Sequence, residues 1–258
     1  MDQIKIIFFD IDGTLVNMGT GKLSPKTVEA LNRLKEKGIL LCIATGRSPV
    51  TLPCFEGVEF DAFLTFNGSY CYQNETDIFN SPIPRNDVAR ILQNAKKLGK
   101  AVSIATKDLV VANGSDEPLE QYYAFAHLDL EVSRNFDEIA SQDVYQIMLG
   151  CREAEYPAIL EGAPGAKITA WWDQAADIIP ACSGKGNGIR KMLDYFGLAP
   201  EQALAFGDGS NDIEMLRTVG TGIAMGNATA AVKAEADGVC GTAAEDGIYH
   251  YCLEQGLI

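Results

Sequence analysis

Ile4-Lys5-Ile6-Ile7-Phe8-Phe9-Asp10-Ile11-Asp12-Gly13-Thr14-Leu15 is a nearly unbroken apolar run that climbs to two aspartates, one residue apart, and stops at a glycine. A strand that is apolar on both faces belongs in the middle of a parallel sheet, with helices covering each side. Aspartates at the carboxyl end of such a strand enter the crevice where open α/β sheets hold their ligands. Asp10 and Asp12 are two positions apart, so in extended backbone both lean to one side. Like charges that close repel unless a cation, a shared proton or separate roles relieve them. Taken alone, the stretch is either a site or a solvated Asp-Gly turn, and the rest of the chain has to decide.

Following that strand, Ser24 and Pro25 suit an N-cap and a first helical position. Val28, Leu31 and Leu34 recur at helical spacing, and Gly38 stops the helix. Ile39 to Ala44 is a second apolar strand, ending at Thr45-Gly46-Arg47. Strand, helix and strand make a βαβ unit, so the two strands are expected to be parallel and Thr45 to emerge at the edge that carries Asp10. A third strand, Ala62 to Phe66, ends at Asn67-Gly68.

The texture changes near Pro82. A helix follows with Val88, Ile91, Leu92, Ala95 and Leu98 on one face, then a hairpin over Ala101 to Ala105 and Leu109 to Ala112. Helical texture returns at Leu119 to Ala126 and at Glu153 to Leu160, and strands are expected at Val144 to Leu149 and Lys167 to Trp172. After Ser183-Gly184-Lys185-Gly186 the first texture resumes. A helix carries Ile189, Met192, Leu193 and Phe196. A strand, Ala203 to Phe206, leads into Gly207-Asp208-Gly209-Ser210-Asn211-Asp212, and a further helix, strand, helix and short strand precede a closing helix near Asp246. The expected architecture is α/β: a doubly wound, Rossmann-like parallel-sheet core over 1–81 and 181–258, with an α+β cap domain inserted over 82–180.

Composition narrows the functions that fit. The 258 residues carry 21 basic and 35 acidic side chains, a net charge of −14. Such a surface repels nucleic-acid backbone and anionic lipid, so neither is an expected partner. The longest apolar runs are strand-sized, too short for a membrane span, and Met1-Asp2-Gln3-Ile4-Lys5 does not read as the start of a signal peptide. Seven single cysteines without ligand spacing fit reduced, mostly buried thiols, and the expected compartment is the cytoplasm.

Four groups are expected at one sheet edge: Asp10 with Asp12, Thr45, Lys185, and Asp208 with Asn211 and Asp212. Converging carboxylates form a hard, oxygen-rich site that suits Mg²⁺ better than zinc. A lysine and a hydroxyl beside them could hold phosphoryl oxygens and neutralise transition-state charge. An aspartate in such a site can act as a nucleophile. Gly207-x-Gly209 lacks the third glycine of a dinucleotide loop, and Gly184-Lys185 lacks the earlier glycine and following hydroxyl of an NTPase phosphate loop. Thr45-Gly46 alone reads more readily as a strand-end turn than as a site, and Lys185 alone as a solvated lysine at a helix start.

Asp10-Ile11-Asp12-Gly13-Thr14, Thr45-Gly46-Arg47, Lys185 and Gly207 to Asp212, in that order, resemble the four motifs of the haloacid dehalogenase superfamily, and more narrowly its Cof-like phosphatases with an α/β cap between the second and third motifs. The resemblance extends to Asn67-Gly68, Ala224-Met225-Gly226-Asn227-Ala228 and Glu245-Asp246-Gly247-Ile248. It implies Asp10 as nucleophile and Mg²⁺ ligand, and Asp12 as general acid and base with its carbonyl on the metal. Asp208 would be the second carboxylate ligand. Thr45, Gly46, Lys185 and Asn211 would hold the phosphoryl group, and Asp212 would support the site. The implied reaction is hydrolysis of small phosphate monoesters, sugar phosphates first, through an aspartyl-phosphate. Alternatives are a phosphomutase or phosphotransferase, or a phosphatase for flavin mononucleotide or pyridoxal phosphate. The partner is a small phosphorylated metabolite, and the protein a monomer or small homo-oligomer. Arg47 either binds substrate or pairs with a core carboxylate. Trp171, Trp172 and Asp173 are the cap candidates for contacting the leaving group, since a ring face and a carboxylate suit a hydroxylated sugar.

Overall fold

The structure is a computed structural model that describes residues 4–17, 19, 21–125 and 128–258; the side chains of Trp171 and Trp172, and all of His127, lie outside the described residues. The chain divides into two compact units. One comprises Met1–Gly46, Pro53–Asn80 and Gly184–Ile258, the other Arg47–Leu52 and Ser81–Ser183.

In the first unit the described residues form an eight-stranded sheet from β1 (Ile6–Phe9), β2 (Leu40–Ala44), β3 (Ala62–Thr65), β4 (Tyr70–Gln73), β5 (Thr76–Asn80), β11 (Ala203–Gly207), β12 (Thr221–Ala224) and β13 (Gly238–Val239). Their order is β13-β12-β11-β1-β2-β3-β4-β5, parallel from β13 through β3. β1 is central, as its two-faced apolar character requires, and all four of its residues are fully buried. Ile6, Phe8, Cys42, Ala44, Ala203 and Ala205 face one side, packed with Ile189, Met192 and Leu193 of α6 (Lys185–Phe196) and Met215 and Leu216 of α7 (Ile213–Thr218). Phe9 and Phe206 alternate to the other side, stacked on each other 5.6 Å apart, with Tyr251 of α9 (Gly247–Glu254) edge-on to Phe206. α1 (Pro25–Glu36) packs beside α9, and α8 (Ala230–Ala234) follows β12. Helices therefore cover both faces, which is the doubly wound arrangement.

Local signals act as the chain order suggests. Ser24 Oγ accepts from the Thr27 N–H at 3.0 Å and caps α1. The same hydroxyl donates to Asp246 at 2.5 Å, so Asp246 ties the start of α1 to the segment entering α9. The hairpin of β4 and β5 adds two antiparallel strands beyond the parallel set, a feature the sequence reading passed over.

The second unit carries an antiparallel sheet in the order β7-β6-β8-β10-β9, made of β6 (Ser103–Ala105), β7 (Val110–Ala112), β8 (Gln146–Gly150), β9 (Ala166–Trp172) and β10 (Ala175–Pro180). Its helices are α2 (Arg85–Lys97), α3 (Glu117–Phe125), α4 (Phe136–Ile139) and α5 (Tyr156–Ile159). Val88, Ile91 and Ala95 of α2 pack on Ile104, Ile147, Leu149 and Ile178 in a core of its own. β10 is a strand that the sequence reading missed; its buried Asp177 accepts a 2.6 Å hydrogen bond from Tyr122 Oη. No helix among the described residues is long and apolar enough to cross a membrane.

Candidate active site

Strand register assembles the site. Phe9 pairs with Phe206 and with Ile43, Ala44 with Leu64, and Gly207 with Ala224. Parallel strands in step end together, so Asp10, Thr45, Asn67, Asp208 and the segment after Ala224 all leave the sheet at one edge. The ladder continues one residue beyond β1, with the Asp10 N–H donating to Phe206 O at 3.1 Å. Asp12 lies on the tight turn that follows, half-buried, in a bridge with Val16.

Buried Lys185, the first residue of α6, donates from Nζ to Asp10 Oδ1 at 2.7 Å and to Asp212 Oδ1 at 2.5 Å. Asp212 Oδ2 accepts from the backbone N–H groups of Asp208 and Gly209, each at 2.9 Å. Asp208 is held at both oxygens: Thr14 Oγ1 donates to Oδ1 at 2.9 Å and Asn227 Nδ2 to Oδ2 at 3.0 Å. The Asn227 amide also donates to Gly13 O at 2.8 Å, joining three loops. Asn211 Nδ2 donates to Asn67 Oδ1 at 3.0 Å.

The electrostatics are crowded. Burial pushes the Asp10 carboxyl well above its ordinary value; Lys185 pulls it back, and Asp212, Asp208 and Asp12 push it up again. Burial and then Asp212 push the Asp208 carboxyl up to about 7. Burial opposes charge on Lys185, yet Asp10 and Asp212 outweigh it and hold the ammonium above its ordinary value. Carboxylate oxygens of Asp10, Asp208 and Asp212 lie within 4.8 Å of one another. That donor set is hard and short of positive charge, which fits a small divalent cation.

Gly13 makes this approach of loops feasible. Its φ is +90°, and a Cβ there would fall 2.3 Å from Asp208 Oδ2. Gly13→Ala is therefore expected to cost about 1–3 kcal/mol in backbone strain, with a further loss from displacing Asp208. Gly38→Ala is the control, because Gly38 has φ +76° with nothing within 4 Å of the added carbon. Thermal unfolding should rank Gly13→Ala clearly below Gly38→Ala; equal losses would mean that the crowding at Asp208 is immaterial.

The other expected residues are less central. Arg47 is half-buried and donates from Nη1 to Thr51 O at 3.1 Å. Asp173 is exposed on the turn between β9 and β10. Trp171 and Trp172 lie on β9, and their side chains are outside the described residues. Thr14, Asn67 and Asn227 have no role assigned from the sequence, although Thr14 closes the first motif. Asn227 falls in Ala224 to Ala228 and Asn67 in Asn67-Gly68, stretches that carry part of the family resemblance, which was their one available signal.

Comparison with known proteins shows the family. Residues 7–252 match the haloacid dehalogenase-like hydrolase family. YkrA of Bacillus subtilis (strain 168) is 32% identical over 257 residues, with 98% of each chain covered. The pyridoxal phosphate phosphatase YbhA of Escherichia coli (strain K12) is 29% identical, covering 96% of this chain and 97% of its own. A solved sugar phosphatase of subclass IIB of the haloacid dehalogenase superfamily superposes with a TM-score of 0.87 at 32% identity, covering 98% of this chain and 100% of its own.

Proposed function

The chain belongs to the haloacid dehalogenase-like hydrolases as a phosphatase of small phosphorylated metabolites, and on that premise we propose that it hydrolyses phosphate monoesters, sugar phosphates first, through a phosphorylated Asp10. The observation that carries this reading is the buried chain Asp10–Lys185–Asp212 with Asp208 beside it. A carboxylate at a strand end, kept dry and steered by a lysine, is a nucleophile in waiting.

In the first half-reaction a carboxylate oxygen of Asp10 bonds to phosphorus as the bond to the leaving oxygen breaks, and Asp12 protonates that oxygen. In the second, Asp12 takes a proton from water, the water oxygen bonds to phosphorus, and inorganic phosphate leaves as the Asp10 carboxylate is restored. Proton transfer from a placed side chain is worth about 10²–10⁴-fold. The Thr45 hydroxyl, the Gly46 N–H, the Lys185 ammonium and the Asn211 amide hold the phosphoryl oxygens, and Asp212 keeps Lys185 aimed. Mg²⁺, held by Asp10, Asp208 and the Asp12 carbonyl, would neutralise phosphoryl charge as a Lewis acid. Selection of the leaving group falls to the inserted segment 82–180, with Trp171, Trp172, Asp173 and Arg47 as candidates.

A panel of phosphate esters with Mg²⁺ tests the reading. Phosphate release should stop on adding excess EDTA and return with Mg²⁺. Asp208→Asn should raise the Mg²⁺ concentration for half-maximal rate at least about tenfold, because a neutral amide is a poorer ligand for a hard cation. Turnover that persists in EDTA would remove the metal from the reaction. An unchanged Mg²⁺ requirement in Asp208→Asn would remove Asp208 from its ligands.

A further inference from the structure

Between β3 and β4 the chain does something that few sequences tolerate. Phe66, Asn67 and Gly68 take φ values of +50°, +52° and +90° in succession, three left-handed residues in a row, and all three are buried. L residues enter this region at a cost, asparagine least among the non-glycines. Backbone held there against its preference points to a function that the turn serves.

What the turn touches suggests that function. The Asn67 N–H donates to Thr45 O at 3.0 Å, while the Thr45 N–H donates to Leu64 O at 2.9 Å, so the Thr45 backbone is fixed from both sides. A Cβ on Gly46 would sit 3.1 Å from Asn67 Nδ2, so the Asn67 side-chain amide packs closely against Gly46. A Cβ on Gly68 would fall 2.3 Å from Gly184 O, so the turn rests directly on the residue that precedes Lys185 and caps α6. Asn67 Oδ1 accepts from Asn211 Nδ2 at 3.0 Å. Thr45 and Asn211 are therefore direct partners of Asn67, and Gly46 and the backbone of Lys185 adjoin this one turn.

We propose that Asn67 is a positioning residue for the phosphate subsite: its side-chain carbonyl fixes the Asn211 amide so that the second N–H of that amide points to a phosphoryl oxygen. This rests on the phosphatase reading above. An amide with no anchor would rotate about its terminal torsion and spend part of its time turned away. With one N–H committed to Asn67, the other has a set direction, and the ordering cost is met by the fold before ligand arrives. The left-handed turn follows from the same need, since it carries Asn67 from Thr45 across to Asn211.

The test removes the amide and keeps the backbone. Asn67→Gly tolerates φ +52° without strain, and inorganic phosphate serves as the probe, read as its inhibition constant. Asn67→Gly should raise that constant about 5–10-fold, the size of one lost hydrogen bond, and lower kcat/KM on acetyl phosphate by a similar factor. In an Asn211→Ala background Asn67→Gly should add less than twofold, because the group it positions is already gone. An inhibition constant that stays native in Asn67→Gly while native turnover is normal overturns the positioning role alone. Losses that multiply with Asn211→Ala do the same. A native protein that neither hydrolyses esters nor binds phosphate overturns the phosphatase reading, and this proposal with it. If Asn67→Gly fails to fold, Asn67→Asp keeps the backbone and an oxygen acceptor. Asn211→Ala should then raise the phosphate constant by the same factor in Asn67→Asp as in the native protein; loss of that factor overturns the proposal.

Discussion

Asp10→Asn is expected to abolish turnover and covalent labelling together, a loss on the order of 10⁴-fold or more, while the protein stays folded and its Tm holds or rises. The amide is no nucleophile, so neither half-reaction can start. The stability side follows from the electrostatics of the site. Burial pushes the Asp10 carboxyl well above its ordinary value, which means that the fold carries its charge at a cost. Lys185 would keep Asp212 as a partner at 2.5 Å, so removing the Asp10 charge strands no cation. Function held against local stability is a recurrent feature of active sites. Rapid-quench trapping with a phosphorus-labelled substrate and calorimetric unfolding check the two halves. Measurable turnover would move the nucleophile elsewhere. A Tm lowered by more than about 5 °C would make Asp10 an anchor of the fold instead.

The legible parts of this fold are those where one physical requirement dominates. Ile6 to Phe9, Leu40 to Ala44 and Ala203 to Phe206 are apolar on both faces because both faces are covered, and that single fact gives the parallel core and the edge where Asp10, Thr45 and Asp208 emerge. The β4–β5 hairpin escaped because its strands are half-exposed, and Tyr70-Cys71-Tyr72-Gln73 and Thr76 to Asn80 are neither fully apolar nor cleanly alternating. Its turn, Asn74-Glu75, with Asn74 at φ +51°, was the overlooked signal. β10 escaped for a different reason. Asp177 interrupts its apolar run, and the Tyr122 hydroxyl that makes the burial tolerable comes from a helix 55 residues earlier.

Within the site, charged residues declare themselves by type, and neutral amides do not. Asn67, Asn211 and Asn227 are ordinary turn residues in sequence. Asn227 acquires meaning only because its amide reaches both Gly13 O and Asp208 Oδ2, contacts 214 and 19 residues away. In sequence, Asn211 and Asn67 stand out only through the stretches that resemble the family, Gly207 to Asp212 and Asn67-Gly68, and the backbone of its turn is what gives Asn67 a place in the site.

Lys185→Met should be the most damaging single change to the site, because Lys185 is the counter-charge for two buried carboxylates at once. Its side chain is fully buried, and Asp10 and Asp212 are 10% and 1% exposed at the side chain. Methionine matches the length of the stem and supplies neither charge nor donor. The two carboxylates are then left facing each other, and breaking a buried pair by deleting one partner typically costs about 3–5 kcal/mol. In a chain of this size that corresponds to a Tm lower by on the order of 10 °C. Asp212→Asn in the same chain should recover part of that Tm, since it neutralises one of the stranded charges and retains an acceptor. It should not recover turnover, because the donor proposed for the phosphoryl oxygens is still missing. The two substitutions should therefore be strongly non-additive in stability, as expected of residues that share a contact, while the activity stays at the level of Lys185→Met alone. Additive effects on Tm would mean that Lys185 and Asp212 are not energetically coupled across their 2.5 Å contact. A Lys185→Met protein with native Tm and native turnover would strip Lys185 of both roles, and with it the dry, steered carboxylate on which the assignment of Asp10 depends.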